Sequence, residues 1–167
     1  SLTEISIPGS VKTLGDLIFY SCDRMEKAVL GEGITELGES MFHDCSALAD
    51  LTLPSTLTNI SYGAFNCCFA LAEVNLPASI NAIYDEAFHR CTGIKEIVIP
   101  ANVEYLGGFS QCNNLEKVIF NGESITEDRG FNLLQEQEEK AKLDWLNNNS
   151  QYKDELFKLE DYDLLKG

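Results

Sequence analysis

Apolar side chains return along this chain at a fixed step of 23 residues, with polar positions between them. Ile7, Leu30, Leu53, Leu76 and Ile99 form one column, Val11, Ile34, Leu57, Ile80 and Val103 a second, and Leu14, Leu37, Ile60 and Ile83 a third. Phe19, Phe42, Phe65 and Phe88 keep the same step, as do Cys22, Cys45, Cys68 and Cys91. Proline follows four members of the first column, at Pro8, Pro54, Pro77 and Pro100. Leu106 holds the step from Ile83, but Phe109 and Cys112 follow their predecessors by 21 residues, so two residues are missing between Leu106 and Phe109. The pattern resumes at Leu115, Val118 and Phe120.

A period of this length predicts a solenoid, because one such turn cannot bury its apolar face alone and must stack on its neighbours. Within each unit, alternation such as Leu51 and Leu53, or Val74 and Leu76, predicts a short strand with every second side chain inward. Proline after it ends the strand. The later stretch from Ile60 to Phe65 is too short for a packed long helix and predicts one helical or 3₁₀ turn on the opposite side.

The unit resembles the BspA-like class of leucine-rich repeat, whose marks are a Leu-Pro pair, an Ala-Phe pair and a trailing Cys. Ala64-Phe65 and Ala87-Phe88 match in full, whereas Ile18-Phe19 and Met41-Phe42 keep only the Phe. Departures are Gly31 in place of Pro, the Cys67-Cys68 doublet, and the shortened turn near Gly107, which is expected to bend the rod locally. The fold expected is an α/β solenoid, a single right-handed superhelical array of about five to six 23-residue units over residues 1–121. The resemblance also implies a cell-surface or secreted module for adhesion or interaction, and hence an extracellular or cell-surface location. The register already runs at Leu2 with no polar cap before it, as expected of a piece of a longer array.

From Gly122 the composition shifts to charged helix formers. Phe131, Leu134, Glu138, Ala141 and Trp145 recur at helical spacing, and a second short helix is expected over residues 151–162, with Tyr152, Leu156 and Leu159 on one side. Residues 122–167 are thus expected to form a helical cap or tail that covers the open end of the solenoid. Without it the last turn leaves an unpaired strand edge and a bare core.

Composition narrows the function classes. Twelve Lys and Arg against 27 Asp and Glu give a formal charge of −15 in 167 residues. So acidic a chain repels phosphate backbones and anionic membranes, which argues against nucleic-acid binding. No apolar run approaches the length of a membrane span, so membrane insertion is not expected. Hydrophobic residues make up 44% of the chain, enough for an ordered core. A monomer is expected.

Candidate chemistry is sparse. Stacking at one turn per 23 residues places Cys22, Cys45, Cys68 and Cys91 about 4.7 to 5 Å apart, near enough for a disulfide but read as a ladder of buried thiols. Cys67, adjacent to Cys68, is expected to point elsewhere as the exposed thiol. His43-x-Cys45 and His89-x-Cys91 are equivalent positions two turns, about 10 Å, apart, too far for one metal ion. The common nucleotide, metalloprotease, hydrolase and calcium motifs are missing, and Ser150-x-x-Lys153 reads as a helix cap. No enzyme, metal or cofactor is expected.

The outward columns of the strand face carry no packing duty. One runs Glu4, Lys27, Asp50, Glu73, Glu96 and Lys117, the other Ser6, Val29, Thr52, Asn75, Val98 and Ile119. Charges alternating along such a ladder pair with one another on a solvated face; the alternative is a recognition surface. The binding residues expected are Glu4, Lys27, Asp50, Thr52, Glu73, Asn75, Glu96, Val98, Lys117 and Ile119, with Val98 and Ile119 as exposed apolar contacts. Their partner is a protein or glycan, and the competing role is a structural spacer that displays other modules.

Overall fold

Strands form where the alternating columns place them in every turn but the fourth, whose Val74 and Leu76 alternate without forming one. In the computed structural model, which describes residues 2–11, 14–120 and 123–125, β1 (Glu4–Ile7), β2 (Lys27–Leu30) and β3 (Asp50–Thr52) form one parallel sheet in the order β1-β2-β3. Their register steps by 23 residues, Glu4 opposite Lys27 opposite Asp50. Lys27 and Asp50 each donate their N–H to the preceding turn, to the carbonyls of Thr3 at 3.2 Å and Glu26 at 3.0 Å. Ala28, Leu30, Ile97 and Ile99 point inward and are buried, while Glu4, Ser6, Glu96 and Val98 face out.

The third column does something its spacing did not announce. Ile60, Ile83 and Leu106 sit not in a helical turn but in two-residue strands, β4 (Asn59–Ile60), β5 (Ala82–Ile83) and β7 (Tyr105–Leu106), which form a second parallel sheet. The strand between the last two, β6 (Glu96–Ile99), belongs to a third sheet with β8 (Lys117–Phe120) and β9 (Glu123–Ile125). The molecule is therefore a β-solenoid of about five turns, and the described residues contain no helix. The expected C-terminal helices, with Phe131, Leu134 and Trp145, lie outside the described residues.

Backbone dihedrals explain why the far side is not helical. Leu17, Ser40, Gly63 and Glu86 share a left-handed conformation with φ of 60°, 50°, 60° and 58°. Ser21, Asp44, Cys67, Arg90 and Gln111 repeat it at 56° to 60°. A left-handed residue every fourth position resets the chain before a helix can propagate. What remains is a run of i to i+3 turns, such as Cys22 N–H to Phe19 O and Cys45 N–H to Phe42 O at 3.1 Å. Here cross-turn bonds run from each turn to the next: Phe42 N–H donates to Ala64 O at 2.8 Å and Phe65 N–H to Ala87 O at 2.7 Å.

The core is a column of rings. Phe19, Phe42, Phe65, Phe88 and Phe109 stack with centroids 5.1 to 5.4 Å apart. Phe42, Phe65 and Phe88 are fully buried, each contributing roughly 1.5 to 3 kcal/mol. Across the shortened turn the Phe88 to Phe109 spacing is 5.1 Å, and Phe88 N–H still reaches Gly108 O at 2.8 Å, so the ring stack passes it unbroken.

Gly31, the departure from proline, has a physical reason. Its N–H donates to Ile7 O at 2.8 Å, a bond proline cannot make, and a Cβ there would lie 2.5 Å from Gly9 N.

Candidate binding face

The outward columns, expected to run unbroken along the strand face, stand in two blocks with a gap between them. In the first block Lys27 forms an ion pair with Asp50, both partly exposed. The hydrogen bond and charge of Asp50, with Glu4 as a lesser contributor, raise the lysine's pKa. Thr52 stands opposite Val29 in the outer column. In the second block Lys117 Nζ lies 3.0 Å from Glu96 Oε1, in the register Glu96 opposite Lys117 and Val98 opposite Ile119. Val98 is 51% exposed. Ile119, expected to be exposed with it, is half-buried and stands opposite Ser124 of the antiparallel β9.

The fourth turn, residues 72–76, joins neither block. Its alternation matches that of its neighbours, yet it forms no strand, and β3 and β6 are both edge strands facing it. Regular turns donate at this position to the turn before, as Asp50 does to Glu26 and Lys117 to Lys95. Among the described residues the equivalent bonds from Glu73 to Ala49 and from Glu96 to Ala72 are not made. A cleft of about 540 Å³ opens there, lined by Glu73, Val74 and Asn75 on one side and Gly93, Lys95, Glu96 and Val98 on the other. Gly93 holds one end closed: a Cβ on it would lie 2.5 Å from Leu71 O and 2.7 Å from Phe69 O. Glu73 and Asn75 are exposed, and Glu73 has no ion-pair partner among the described residues.

The cysteines sit across the core from this face. All six are free. The thiols of Cys45, Cys68, Cys91 and Cys112 each donate to the carbonyl of the Phe one turn earlier, Phe19, Phe42, Phe65 and Phe88, at 3.1 to 3.2 Å. Burial pushes Cys45 up to about 12 and holds Cys68 and Cys91 well above the ordinary thiol range. Cys67, expected to be exposed, is buried at 9% exposure, because its left-handed backbone turns the side chain inward where strand parity does not apply. Burial, with the charge of Asp44 next, raises its pKa. Cys22 in the first turn is half-buried.

The histidines are engaged separately. His43 stacks on Tyr20 at 5.0 Å and lies 3.6 Å from Asp44 Oδ2, while His89 Nδ1 shares a 2.7 Å hydrogen bond with Ser110 Oγ. No three His, Cys, Asp or Glu side chains converge as metal ligands among the described residues. No helix among them is long and apolar enough to cross a membrane.

Comparison with known proteins agrees with this architecture. A family profile for the BspA type leucine-rich repeat region matches residues 12–137 in six copies. Among curated proteins none matches. Solved structures with the same fold include the T. pallidum leucine-rich repeat protein, at 26% identity and a TM-score of 0.67 over 70% of this chain and 58% of that one. A leucine rich cell surface protein from Faecalibacterium prausnitzii is 27% identical, with a TM-score of 0.68 over 72% of this chain and 32% of that one. A leucine-rich repeat protein from Bacteroides ovatus is 29% identical, with a TM-score of 0.62 over 70% of this chain and 33% of that one. The chain thus spans about a third to somewhat over half the length of these relatives. On the profile match, the phenylalanine and cysteine ladders and the strand register together, the chain belongs to the BspA-type leucine-rich repeat family.

Proposed function

We propose that this chain is a non-catalytic binding and adhesion module that recognises a protein or glycan through its strand face, as part of a cell-surface or secreted protein. The observation that carries the reading is the in-register display of outward side chains one turn apart, with Val98 exposed and Glu73, which has no ion-pair partner among the described residues, beside an open cleft. Such a display offers a partner several parallel contacts at a spacing of about 4.8 Å. The candidate contacts are Glu4, Lys27, Asp50, Thr52, Glu73, Asn75, Glu96, Val98, Lys117 and Ile119. The relative described as a leucine rich cell surface protein supports a surface location. We further propose that residues 1–121 form the solenoid unit and that residues 122–167 cap or extend it.

An array of proteins and glycans probed with the tagged chain and with its Asp50→Lys/Glu73→Lys variant tests this. Both side chains are exposed, so the fold tolerates the change at a cost of less than about 1 kcal/mol from the lost Lys27 pair. Binding is expected to weaken and its salt dependence to change. Unaltered binding with the same salt response places the site elsewhere.

One observation favours a second reading, a spacer that displays other modules: the Lys27–Asp50 and Glu96–Lys117 pairs satisfy much of the charged column internally. An array blank for the wild-type chain supports it.

A further inference from the structure

We propose that the tyrosines and carboxylates beside the second parallel sheet bind an arginine-rich segment of a partner protein, on a surface separate from the strand face. The proposal goes beyond the strand-face reading and stands without it. Asp16, Glu39, Tyr62 and Asp85 are successive members of one 23-residue column, and Glu86 follows the last of them. The fifth turn has no counterpart to Asp85 and Glu86. Gly107 N–H donates to Ile83 O as Tyr84 N–H does to Ile60 O, and Gly108 O accepts Phe88 N–H as Ala87 O accepts Phe65 N–H, so the two missing residues fall between those glycines. A Cβ on Gly107 would lie 2.7 Å from Asp85 Oδ1, so bare backbone meets the carboxylate there. Tyr105 donates its hydroxyl to Asp85 Oδ1 at 3.1 Å and tilts against Tyr84, with ring centroids 5.3 Å apart.

This surface is negative and aromatic at once. Glu39, Asp85 and Glu86 have no ion-pair partner among the described residues. Tyr62 and Tyr84 are 45% and 42% exposed. Burial, then the hydrogen bond and charge of Glu86, then the charges of Asp85 and Glu39, raise the pKa of Tyr62, which places all three carboxylates around one phenol. An independent sign of a missing donor lies beneath. Asn66 is 4% exposed, and its Nδ2 donates to Glu86 Oε2 at 3.1 Å, which fixes the amide against that carboxylate. Its Oδ1 is buried and accepts no hydrogen bond among the described residues, a costly state for an amide oxygen. The site is rich in acceptors and short of donors. A guanidinium brings five N–H donors in a flat fork that lies on a tyrosine ring while its edge bonds a carboxylate; the compact, strongly hydrated ammonium of lysine does not do both. Tyr62 in the third turn and Tyr84 in the fourth offer two ring faces, which a segment carrying several arginines fills together.

The test uses the full chain and a labelled, acetylated and amidated hexapeptide of alternating Arg and Gly, followed by fluorescence anisotropy, with the matching Lys peptide as a control of equal charge. The Arg peptide is expected to bind below about 1 mM and at least about threefold more tightly than the Lys peptide. Tyr62→Ala and Tyr84→Ala should each weaken it roughly two- to fivefold, the range of an exposed cation–π contact, and Glu86→Gln, which keeps an acceptor for Asn66, roughly fivefold. Glu73→Gln on the strand face removes the same charge and should leave the affinity within about twofold. Thermal melting curves report that each variant is folded. Equal affinity for the Arg and Lys peptides, or equal loss in Glu86→Gln and Glu73→Gln, overturns the proposal in favour of diffuse attraction to an acidic chain. No binding of the Arg peptide up to about 1 mM overturns it as well. The array with Asp50→Lys/Glu73→Lys judges the strand face separately.

Discussion

The thiol of Cys68 donates to the carbonyl of Phe42, 26 residues earlier, at 3.2 Å, and that same oxygen accepts the N–H of Cys45 at 3.1 Å. One carbonyl thus closes a turn within its own repeat and receives the next repeat from above. The relationship recurs at Phe19, Phe65 and Phe88, which is why Phe and Cys keep a fixed three-residue offset in every turn.

Reduced, buried thiols have two consequences. A thiol reagent should find one or two reactive groups in the native chain, led by Cys22, and six after unfolding. Four or more reactive natively, or fewer than six after denaturation, contradicts the ladder. Stability should also fall at alkaline pH. Folded pKa values raised above the unfolded value near 8.5 keep Cys45, Cys68 and Cys91 protonated while the unfolded chain loses protons, so stability is complete below about pH 8. Above it, each deeply buried thiol subtracts about 1.4 kcal/mol per pH unit, and for Cys45 the loss continues towards pH 12. Melting temperatures in series from pH 7 to 10.5 check the sign.

Restoring the repeat's own consensus should harm the protein at one place. Gly31→Pro removes the N–H that reaches Ile7 O and pushes ring atoms into Gly9, so a loss of about 2 kcal/mol or more is expected. Denaturant unfolding that shows equal or greater stability contradicts this account of the turn.

The left-handed columns make the opposite kind of prediction. Leu17 has φ 60° and is 55% exposed, so Leu17→Gly relieves strain of about 1 kcal/mol at little loss of burial. Its melting temperature should rise by about 2 to 4 °C. The neighbouring Ile18→Gly, lacking that strain, should lower it.

Removing residues after Asn121 takes away β9, which pairs with β8 in the register Phe120 opposite Glu123. The β8 edge is then open to other chains. Aggregation or a lower melting temperature is expected by light scattering and calorimetry; an equally stable, monomeric truncation shows that the C-terminal segment is a tether or partner-binding element instead.

How far the sequence foretold this arrangement depends on the kind of signal. Columns such as Ile7, Leu30 and Ile99 are legible because burial acts on side-chain identity, and the Phe and Cys ladders follow from the same step. Three features leave no such trace. Two-residue strands such as Ala82–Ile83 are too short to alternate. Left-handed positions are occupied by Leu17, Glu86 and Arg90, none of which announces positive φ, and this is what replaced the expected helical turn and buried Cys67. The strandless fourth turn carries Glu73-Val74-Asn75, patterned like Asp50-Leu51-Thr52; only Asn75, a weak strand former, and Gly93 differ in kind from their columns. The β8–β9 pairing does carry a sequence signal: Asn121-Gly122 alone separates the paired Phe120 and Glu123.

Strand-face binding is tested most directly by hydrogen exchange, measured peptide by peptide on the full chain alone and saturated with the strongest ligand from the array. Exchange should slow at residues 73–75 and 95–98 and stay unchanged along the turns around Ser21, Asp44 and Arg90. Slowing confined to those turns, with residues 73–75 and 95–98 unaffected, contradicts it.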